Sequence, residues 1–275
     1  MSETPSSTPT GLYLDLLKRT LTNYVYGDSE MRPVNPESGW KRWLLGQFRQ
    51  RGIHAMWQWP FDPEKRRLGR DWPPTAHSMI GLERLGNLQE CCETALRENV
   101  PGDMIETGVW RGGASIFMRA ILAAHGDTQR RVFVADSFEG LPPPDVEKYP
   151  EDKGSKFHEW TQLAISRAEV ERNFERYGLL DDQVVFLEGW FKDTLPKAPI
   201  DKLAVVRLDG DLYESTMDAL VSLYPKLSPG GFLIVDDYGA VPNCKRAIHD
   251  FRDREGITEP LQEGDWSAVY WRRES

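Results

Sequence analysis

The chain has 275 residues, of which 40% are apolar and 28% are charged, so its composition excludes disordered, collagen-like and coiled-coil proteins. Its formal net charge of −9 argues against a nucleic-acid partner, because an acidic surface repels a polyanion. The 3 cysteines suit neither a disulfide framework nor a CxxC metal site, and no apolar run approaches the roughly 18 residues of a membrane span, so we expect a cytoplasmic protein without a membrane partner.

Residues 12–100 predict a helical, tryptophan-rich amino-terminal extension, preceded by a Ser-, Thr- and Pro-rich tail, residues 1–11, that we expect to be disordered. Apolar residues recur at helical spacing over 12–30 and again over 75–99. Between these helices, residues 40–74 hold five tryptophans among basic residues and prolines. We interpret this stretch as an irregular cap whose tryptophans pack on the main domain; an aromatic surface for a substrate and a homodimer contact are the alternatives.

The pattern changes in residues 101–275, which predict an α/β domain. Short apolar runs typical of buried parallel strands occur at 104–109, 131–136, 184–188, 203–209 and 232–236. Helical segments alternate with them at 113–124, 166–177, 214–226 and 242–254. Residues 258–262 and 267–272 can add a closing β-hairpin. The expected fold is a doubly wound, Rossmann-like, mostly parallel sheet of seven strands.

One connection is too long for a compact βα loop. Residues 138–162 are polar and contain four prolines, and they follow a predicted strand on the side of the sheet where ligands bind. We predict that this insert is a mobile lid over the site. A loop that simply lies on the surface is the alternative.

The ends of the first three predicted strands indicate a nucleoside pocket. A glycine turn of GxxxGG spacing begins at Gly108 and lets the backbone approach a ligand. Asp136 ends the second strand, where its carboxylate can accept hydrogen bonds from both ribose hydroxyls, although an isolated acid there could also be a helix cap or a surface salt bridge. The residues that we assign to cofactor binding are Glu106, Thr107, Gly108, Ser115, Asp136, Ser137, Glu188, Gly189, Trp190 and Asp209. These residues alone leave S-adenosylmethionine and a nicotinamide cofactor both open.

Three aspartates follow the fourth and fifth strands and indicate a metal site. Asp209 ends one strand, and Asp236 and Asp237 end the next, so their carboxylates should converge. Three like charges would repel, and a bound cation would relieve the repulsion. Oxygen ligands without His or Cys favour Mg²⁺. Independent surface carboxylates and a helix cap are the alternative.

A fourth aspartate is the candidate general base. Asp211 lies two residues beyond Asp209 and could take a proton from a hydroxyl that the metal has made more acidic. The rival bases are His125, His158 and His249.

Five runs resemble the macrocin-type sugar O-methyltransferases of bacterial antibiotic biosynthesis: IETGVWRGGASIFMRAIL, VADSFEGLP, LEGWFKDTLP, RLDGDLYEST and IVDDYG. The resemblance extends from about Leu12 to Trp271. It implies a class I methyltransferase fold, S-adenosylmethionine as donor, Mg²⁺, and a glycosylated small-molecule acceptor that is methylated on a deoxysugar hydroxyl.

The resemblance also implies roles for particular residues. In the aminocoumarin-type members, Asp209, Asp236 and Asp237 correspond to metal ligands and Asp211 to the base. Leu212 stands where macrolide-type relatives have a histidine and catechol methyltransferases a lysine. This difference makes a macrolide sugar a weaker expectation.

Three other functions compete with methyl transfer to a sugar. A catechol-like diol could chelate the same metal, and a nicotinamide-dependent oxidoreductase could use the same nucleoside pocket without the aspartates. The third alternative is a protein without catalytic activity whose tryptophan-rich segment binds a glycan. The extension is in each case free to form a homodimer contact.

Overall fold

The computed structural model describes residues 8–27, 29–34, 36 and 38–274. Its amino-terminal elements are α1 (Pro9–Leu21), β1 (Glu30–Pro33), α2 (Gly39–Arg49), β2 (Met56–Trp59), α3 (Pro63–Arg67) and α4 (Leu82–Arg97). The strands that follow are β3 (Asp103–Thr107), β4 (Val132–Asp136), β5 (Val184–Glu188), β6 (Leu203–Leu208), β7 (Leu227–Val235), β8 (Gln262–Glu263) and β9 (Val269–Arg272). The helices between them are α5 (Gly113–Ala124), α6 (Arg167–Arg176), α7 (Phe191–Thr194), α8 (Tyr213–Leu223) and α9 (Pro242–Glu255).

The predicted seven-stranded, mostly parallel sheet is confirmed. Its strand order is β5-β4-β3-β6-β7-β9-β8, and β9 and β8 are antiparallel to their neighbours. The chain starts at β3 in the centre, builds β4 and β5 on one side, and then crosses to β6 and β7 on the other. Ligand crevices form where the order reverses in this way, here between the carboxyl ends of β3 and β6.

Two helical layers cover the sheet, which explains why its parallel strands are mostly apolar on both faces. In β3, Met104 packs into a core with α1, α4 and α5, whereas Ile105 packs on the opposite face with α8 and α9. The same alternation continues in β7, where Phe232 and Leu233 face opposite layers. Because α1 and α4 belong to the first layer, the amino-terminal extension contributes to the core of the α/β domain.

The ends of the amino-terminal helices differ from the predictions. Residues 9–11 are helical, so the predicted tail is too long: the Thr8 hydroxyl accepts a hydrogen bond from the Gly11 N–H and caps α1. Residues 1–7 lie outside the described residues. The helix predicted over 12–30 ends at Leu21, and the one predicted from residue 75 begins only at Leu82. The intervening His77 and Ser78 instead donate backbone hydrogen bonds to the Leu21 carbonyl.

The tryptophan-rich stretch is partly regular, and four of its five tryptophans are exposed; the fifth, Trp72, is half-buried, and its ring lies 5.9 Å from that of Trp160 in the main domain. It forms α2, α3 and, with β1, a two-stranded sheet. Trp40 and Trp43 are each 67% exposed, and Trp57 and Trp59 are 64% and 52% exposed. Our interpretation of these four as packed residues is therefore wrong, because neither α2 nor β2 buries any of its residues. No helix in the described part of the chain is long and apolar enough to cross a membrane.

Candidate active site

A cavity of about 490 Å³ lies at the carboxyl ends of the parallel strands. Residues after β3, β4, β5, β6 and β7 all contribute to its wall. The insert, residues 138–162, covers it with Leu141, Pro142, Phe157 and Trp160. The amino-terminal extension closes a further side with Gly69, Asp71, Trp72, His77, Ser78, Met79, Ile80 and Arg84.

The glycine turn after β3 can only be built with glycine at its first position. Gly108 has φ +79°, and a Cβ there would lie 1.7 Å from the carbonyl oxygen of Asp209. The turn therefore brings the ends of β3 and β6 into direct backbone contact. Gly112, with φ +85°, ends the turn immediately before α5.

Asp136 shapes this turn as well as lining the cavity. One of its carboxylate oxygens accepts a hydrogen bond from the Val109 N–H at 2.7 Å and the other from the Phe138 N–H at 2.7 Å. Burial raises the pKa of Asp136, whereas these hydrogen bonds lower it. Each oxygen keeps a lone pair that a ribose hydroxyl could use. The ribose assignment stays a prediction.

The other predicted cofactor residues divide into two groups. Those that line the cavity are Glu106, Gly108, Ser137, Gly189, Trp190 and Asp209. The side chains of Thr107 and Ser115 are buried beneath it, and Ser115 donates a hydrogen bond to Glu106. Glu188 points away to an ion pair with Arg167 at 3.2 Å. These three residues contribute no surface to the cavity.

Two buried arginines, which we did not predict, neutralise part of the acidic cluster. Arg207, on β6, pairs with Glu106 at 2.6 Å, with Asp209 at 2.9 Å and with Asp236. Arg84, on α4, pairs with Asp236 from the other side. The arginines therefore relieve part of the repulsion that we expected a cation to relieve at Asp209 and Asp236. The sequence signal was a single arginine within an otherwise apolar strand.

The three aspartates of the predicted metal site do converge. One carboxylate oxygen of each of Asp209, Asp236 and Asp237 lies within 4.8 Å of the other two. Burial, followed by the neighbouring Asp236, raises the pKa of Asp209 to about 6. The pKa of Asp237 is raised by burial and then by Asp211. An all-carboxylate donor set whose charge exceeds that of its arginine partners fits a hard divalent cation.

Asp211 lies at the edge of this cluster. Its φ is +57°, and its N–H donates a hydrogen bond to an Asp237 carboxylate oxygen at 3.2 Å. Burial, followed by repulsion from Asp209, raises the pKa of Asp211 to about 8. A carboxylate with a pKa near neutrality is suited to general-base catalysis.

The histidines proposed as rival bases do not line the cavity. His125 pairs with Glu93 at 3.0 Å, His249 bonds the Tyr238 hydroxyl at 2.8 Å, and His158 lies in the insert. His77 does line the cavity, although it was not predicted to do so. Its Nδ1 lies 2.7 Å from the Tyr177 hydroxyl. Burial and then Arg176 lower the pKa of His77, which keeps the ring neutral.

Comparison with known proteins identifies similar chains over almost the whole length. The model of the macrocin O-methyltransferase (TylF) family matches residues 10–273. The chain is 54% identical over 262 residues to the 8-demethyl-8-(2,3-dimethoxy-alpha-L-rhamnosyl)-tetracenomycin-C 4'-O-methyltransferase of Streptomyces olivaceus, covering 95% of this chain and 92% of that protein. It is 50% identical over 270 residues to the mycinamicin III 3''-O-methyltransferase of Micromonospora griseorubida, covering 97% and 98%. The solved structure of the O-methyltransferase NovP superposes with a TM-score of 0.84 at 48% identity, covering 97% of this chain and 100% of that chain.

Proposed function

Since the chain belongs to the macrocin O-methyltransferase family and is an O-methyltransferase, we propose that it transfers the methyl group of S-adenosylmethionine to a sugar hydroxyl of a glycosylated natural product in antibiotic biosynthesis. One observation carries this proposal: a single cavity joins the Gly108 turn and Asp136 to Asp209, Asp211 and Asp237. The names of the two curated relatives, one for a rhamnosyl-tetracenomycin and one for mycinamicin III, support a glycosylated acceptor.

The donor half of the cavity holds and orients the cofactor. The Gly108 backbone lets the nucleoside approach the sheet, Asp136 accepts hydrogen bonds from the ribose hydroxyls, and the Trp190 indole adds apolar surface. We assign the insert to the role of a lid, because Phe157 and Trp160 cover the cavity. Excluding water there would protect the sulfonium during transfer.

The acceptor half activates the hydroxyl. Mg²⁺, held by Asp209, Asp236 and Asp237, would supply positive charge that stabilises the developing alkoxide. Asp211 takes the hydroxyl proton while the hydroxyl oxygen forms a bond to the methyl carbon and the sulfonium C–S bond breaks. The products are the methyl ether, S-adenosylhomocysteine and a protonated Asp211 that returns its proton to water.

The proposed acceptor class is tested with methyl-labelled S-adenosylmethionine and pairs of compounds that differ only in the sugar. We expect label on glycosides and none on the matched aglycones. Labelling of free catechols but of no glycoside would overturn the proposal in favour of a diol methyltransferase.

The metal is tested separately. Treatment with a divalent-metal chelator should abolish turnover, and added Mg²⁺ should restore it. Unchanged turnover would exclude a role for the metal.

We also propose that the exposed aromatic face of α2 and β2 forms a homodimer contact. Trp40 and Trp43 lie on one face of α2 beside Lys41 and Arg42, on a chain that is otherwise acidic. A two-stranded sheet is marginally stable alone, and a second copy would bury this face. Sedimentation should give a dimer, and Trp40→Ser with Trp43→Ser should give monomers, whereas the control Val221→Ser on α8 should not. A monomeric wild-type protein would overturn the proposal.

A further inference from the structure

One carboxylate of the insert is fully buried although most of its neighbours are exposed. Asp152 is 0% exposed. One of its oxygens accepts hydrogen bonds from the Tyr213 N–H at 2.8 Å and from the Asn243 side-chain amide at 3.1 Å. The other accepts from the Glu214 N–H at 3.0 Å. Asp152 therefore joins the insert to the first turns of both α8 and α9.

Neither α8 nor α9 is capped by a side chain of the residue that precedes it. The residues that precede the two helices are Leu212 and Val241, and neither makes a side-chain capping hydrogen bond. The first N–H groups of a helix need acceptors, and a negative charge there is favoured by the helix dipole. Asp152 satisfies two of these N–H groups on α8, although it lies 61 and 62 residues away from them in the sequence.

The two helices follow the loops that carry the acidic cluster. The turn before α8 contains Asp209 and Asp211, and the loop before α9 contains Asp236 and Asp237. The Asp211 N–H already bonds Asp237, so the two loops are linked on their inner side. Asp152 links them on their outer side. A shift of the α8 amino terminus would displace Asp211, whose φ of +57° is held by its surroundings.

Further contacts show that the insert and the site are joined at several points. The Tyr149 and Tyr213 rings lie 6.0 Å apart, and the Trp160 ring lies 5.9 Å from Trp72 in the amino-terminal extension. The Trp110 indole N–H, in the glycine turn, donates to the Gln162 carbonyl at 3.0 Å. The contacts of Asp152 differ from these because Asp152 itself is fully buried and because they reach α8 and α9, the helices that follow the acidic loops.

We propose that Asp152 is a positioning residue that couples closure of the insert to the placement of Asp211. This inference rests on the proposed function, because it assumes that Asp211 accepts the hydroxyl proton. When the insert is closed, Asp152 caps α8 and fixes the turn that carries Asp211. When the insert opens, α8 loses its cap and the base loses its alignment.

The test compares Asp152→Ala, which removes all three hydrogen bonds, with Asp152→Asn, whose amide nitrogen cannot accept and so loses part of them. The matched control is Asp145→Asn, an exposed carboxyl in the same insert that accepts a local hydrogen bond from the Lys148 N–H at 3.2 Å. We expect kcat to fall roughly 10- to 100-fold in Asp152→Ala, as for a misaligned reacting group, and less in Asp152→Asn. KM and the S-adenosylhomocysteine dissociation constant should change less than about threefold.

Hydrogen exchange without ligands supplies a second readout that does not depend on activity. The α8 first turn and residues 145–160 should exchange faster together in both Asp152 variants and not in the control. Wild-type kcat in a folded Asp152→Ala protein would overturn the inference, and so would an equal loss of kcat and of cofactor affinity. If Asp152→Ala does not fold, Asp152→Asn decides by the same criteria. If the wild-type protein methylates no glycoside, the proposed function is wrong. If hydrogen exchange in the Asp152 variants becomes faster in α8 or in the insert but not in both, the coupling between them is wrong.

Discussion

At the scale of single residues, Asp211 is the group whose removal should affect chemistry most and binding least. Its backbone N–H donates a hydrogen bond to the Asp237 carboxylate, and burial and then Asp209 raise the pKa of its own carboxyl to about 8. Asp211→Asn keeps the size of the side chain but removes its basicity. We expect kcat to fall by ~10²–10⁴, the usual contribution of a general base, with S-adenosylhomocysteine affinity unchanged in calorimetry.

A second acid in the same cavity provides the control for Asp211. Asp218 lies on α8, lines the cavity, and has its pKa raised to about 6 by burial and then by Glu214. Asp218→Asn should leave kcat near the wild-type value, because the Asp218 carboxyl is not part of the aspartate cluster. Equal losses in Asp211→Asn and Asp218→Asn would show that the base is neither residue alone.

Asp136 should instead affect cofactor binding. Asp136→Ala removes the acceptor for the Val109 and Phe138 N–H groups and for the proposed ribose hydroxyls. We expect S-adenosylhomocysteine to bind roughly 1.5–3 kcal/mol more weakly, as for lost charge-assisted hydrogen bonds. Unchanged affinity by calorimetry would place the ribose elsewhere.

The cluster of Asp209, Asp236 and Asp237 could be predicted because each residue follows a strand with a clear apolar pattern. Of their arginine partners, only Arg207 carries a sequence signal, because it is the one charged residue in the apolar run of β6. Arg84 is 152 positions from Asp236 in the sequence, and nothing local in α4 indicates that its side chain crosses to the sheet. Asp152 was missed for the same reason, since its partners lie on α8 and α9. Contacts between distant segments depend on the packed fold, which local patterns do not specify.

At the scale of elements, the close approach of β3 to β6 requires a glycine at position 108. A Cβ there would lie 1.7 Å from the Asp209 carbonyl oxygen, and the φ of +79° disfavours any other residue. Gly108→Ala should therefore separate the two strand ends. We expect a loss of roughly 3 kcal/mol or more in the free energy of unfolding, measured with urea, together with loss of cofactor binding.

Gly86, unlike Gly108, lies where a Cβ can be added without a steric clash. It lies inside α4, and a Cβ there would meet nothing within 4 Å. Gly86→Ala should raise the free energy of unfolding by about 0.5–1 kcal/mol, because alanine loses less backbone entropy in a helix. If both alanine variants changed stability equally, the steric account of Gly108 would be wrong.

The elements of the α/β domain could be located more accurately than the amino-terminal helices. Two strand predictions there were wrong: β7 begins at Leu227 and not at residue 232, and β8 is Gln262–Glu263 and not 258–262. A buried parallel strand is an uninterrupted apolar run, and the runs over 131–136 and 184–188 closely match β4 and β5. The apolar spacing over 75–99 begins before α4, because several of residues 75–81 are also buried, in an irregular segment whose His77 and Ser78 N–H groups donate to the Leu21 carbonyl. Exposure of Trp40 and Trp43 could not be predicted, because tryptophans usually lie in a core and the sequence does not say otherwise.

At the scale of the whole molecule, the buried acids should make stability depend on pH. Burial raises the pKa values of Asp209, Asp211 and Asp237 above the roughly 4 of an unfolded chain. At these three carboxyls the folded protein without metal therefore binds more protons than the unfolded protein between about pH 4 and pH 8. Its free energy of unfolding must fall as pH rises through this range, because each carboxyl loses its proton against the surrounding charge.

Mg²⁺ should reverse this loss, because it binds the ionised carboxylates of the folded protein and not those of the unfolded one. We expect the melting temperature of chelator-treated protein to fall between about pH 5.5 and about pH 8.5, and Mg²⁺ to raise it more at the higher pH. Asp237→Asn should flatten the pH dependence and weaken the Mg²⁺ effect. The control Asp253→Asn, an exposed carboxyl on α9, should change neither. An Mg²⁺ effect of the same size at both pH values would mean that the cation binds outside the aspartate cluster.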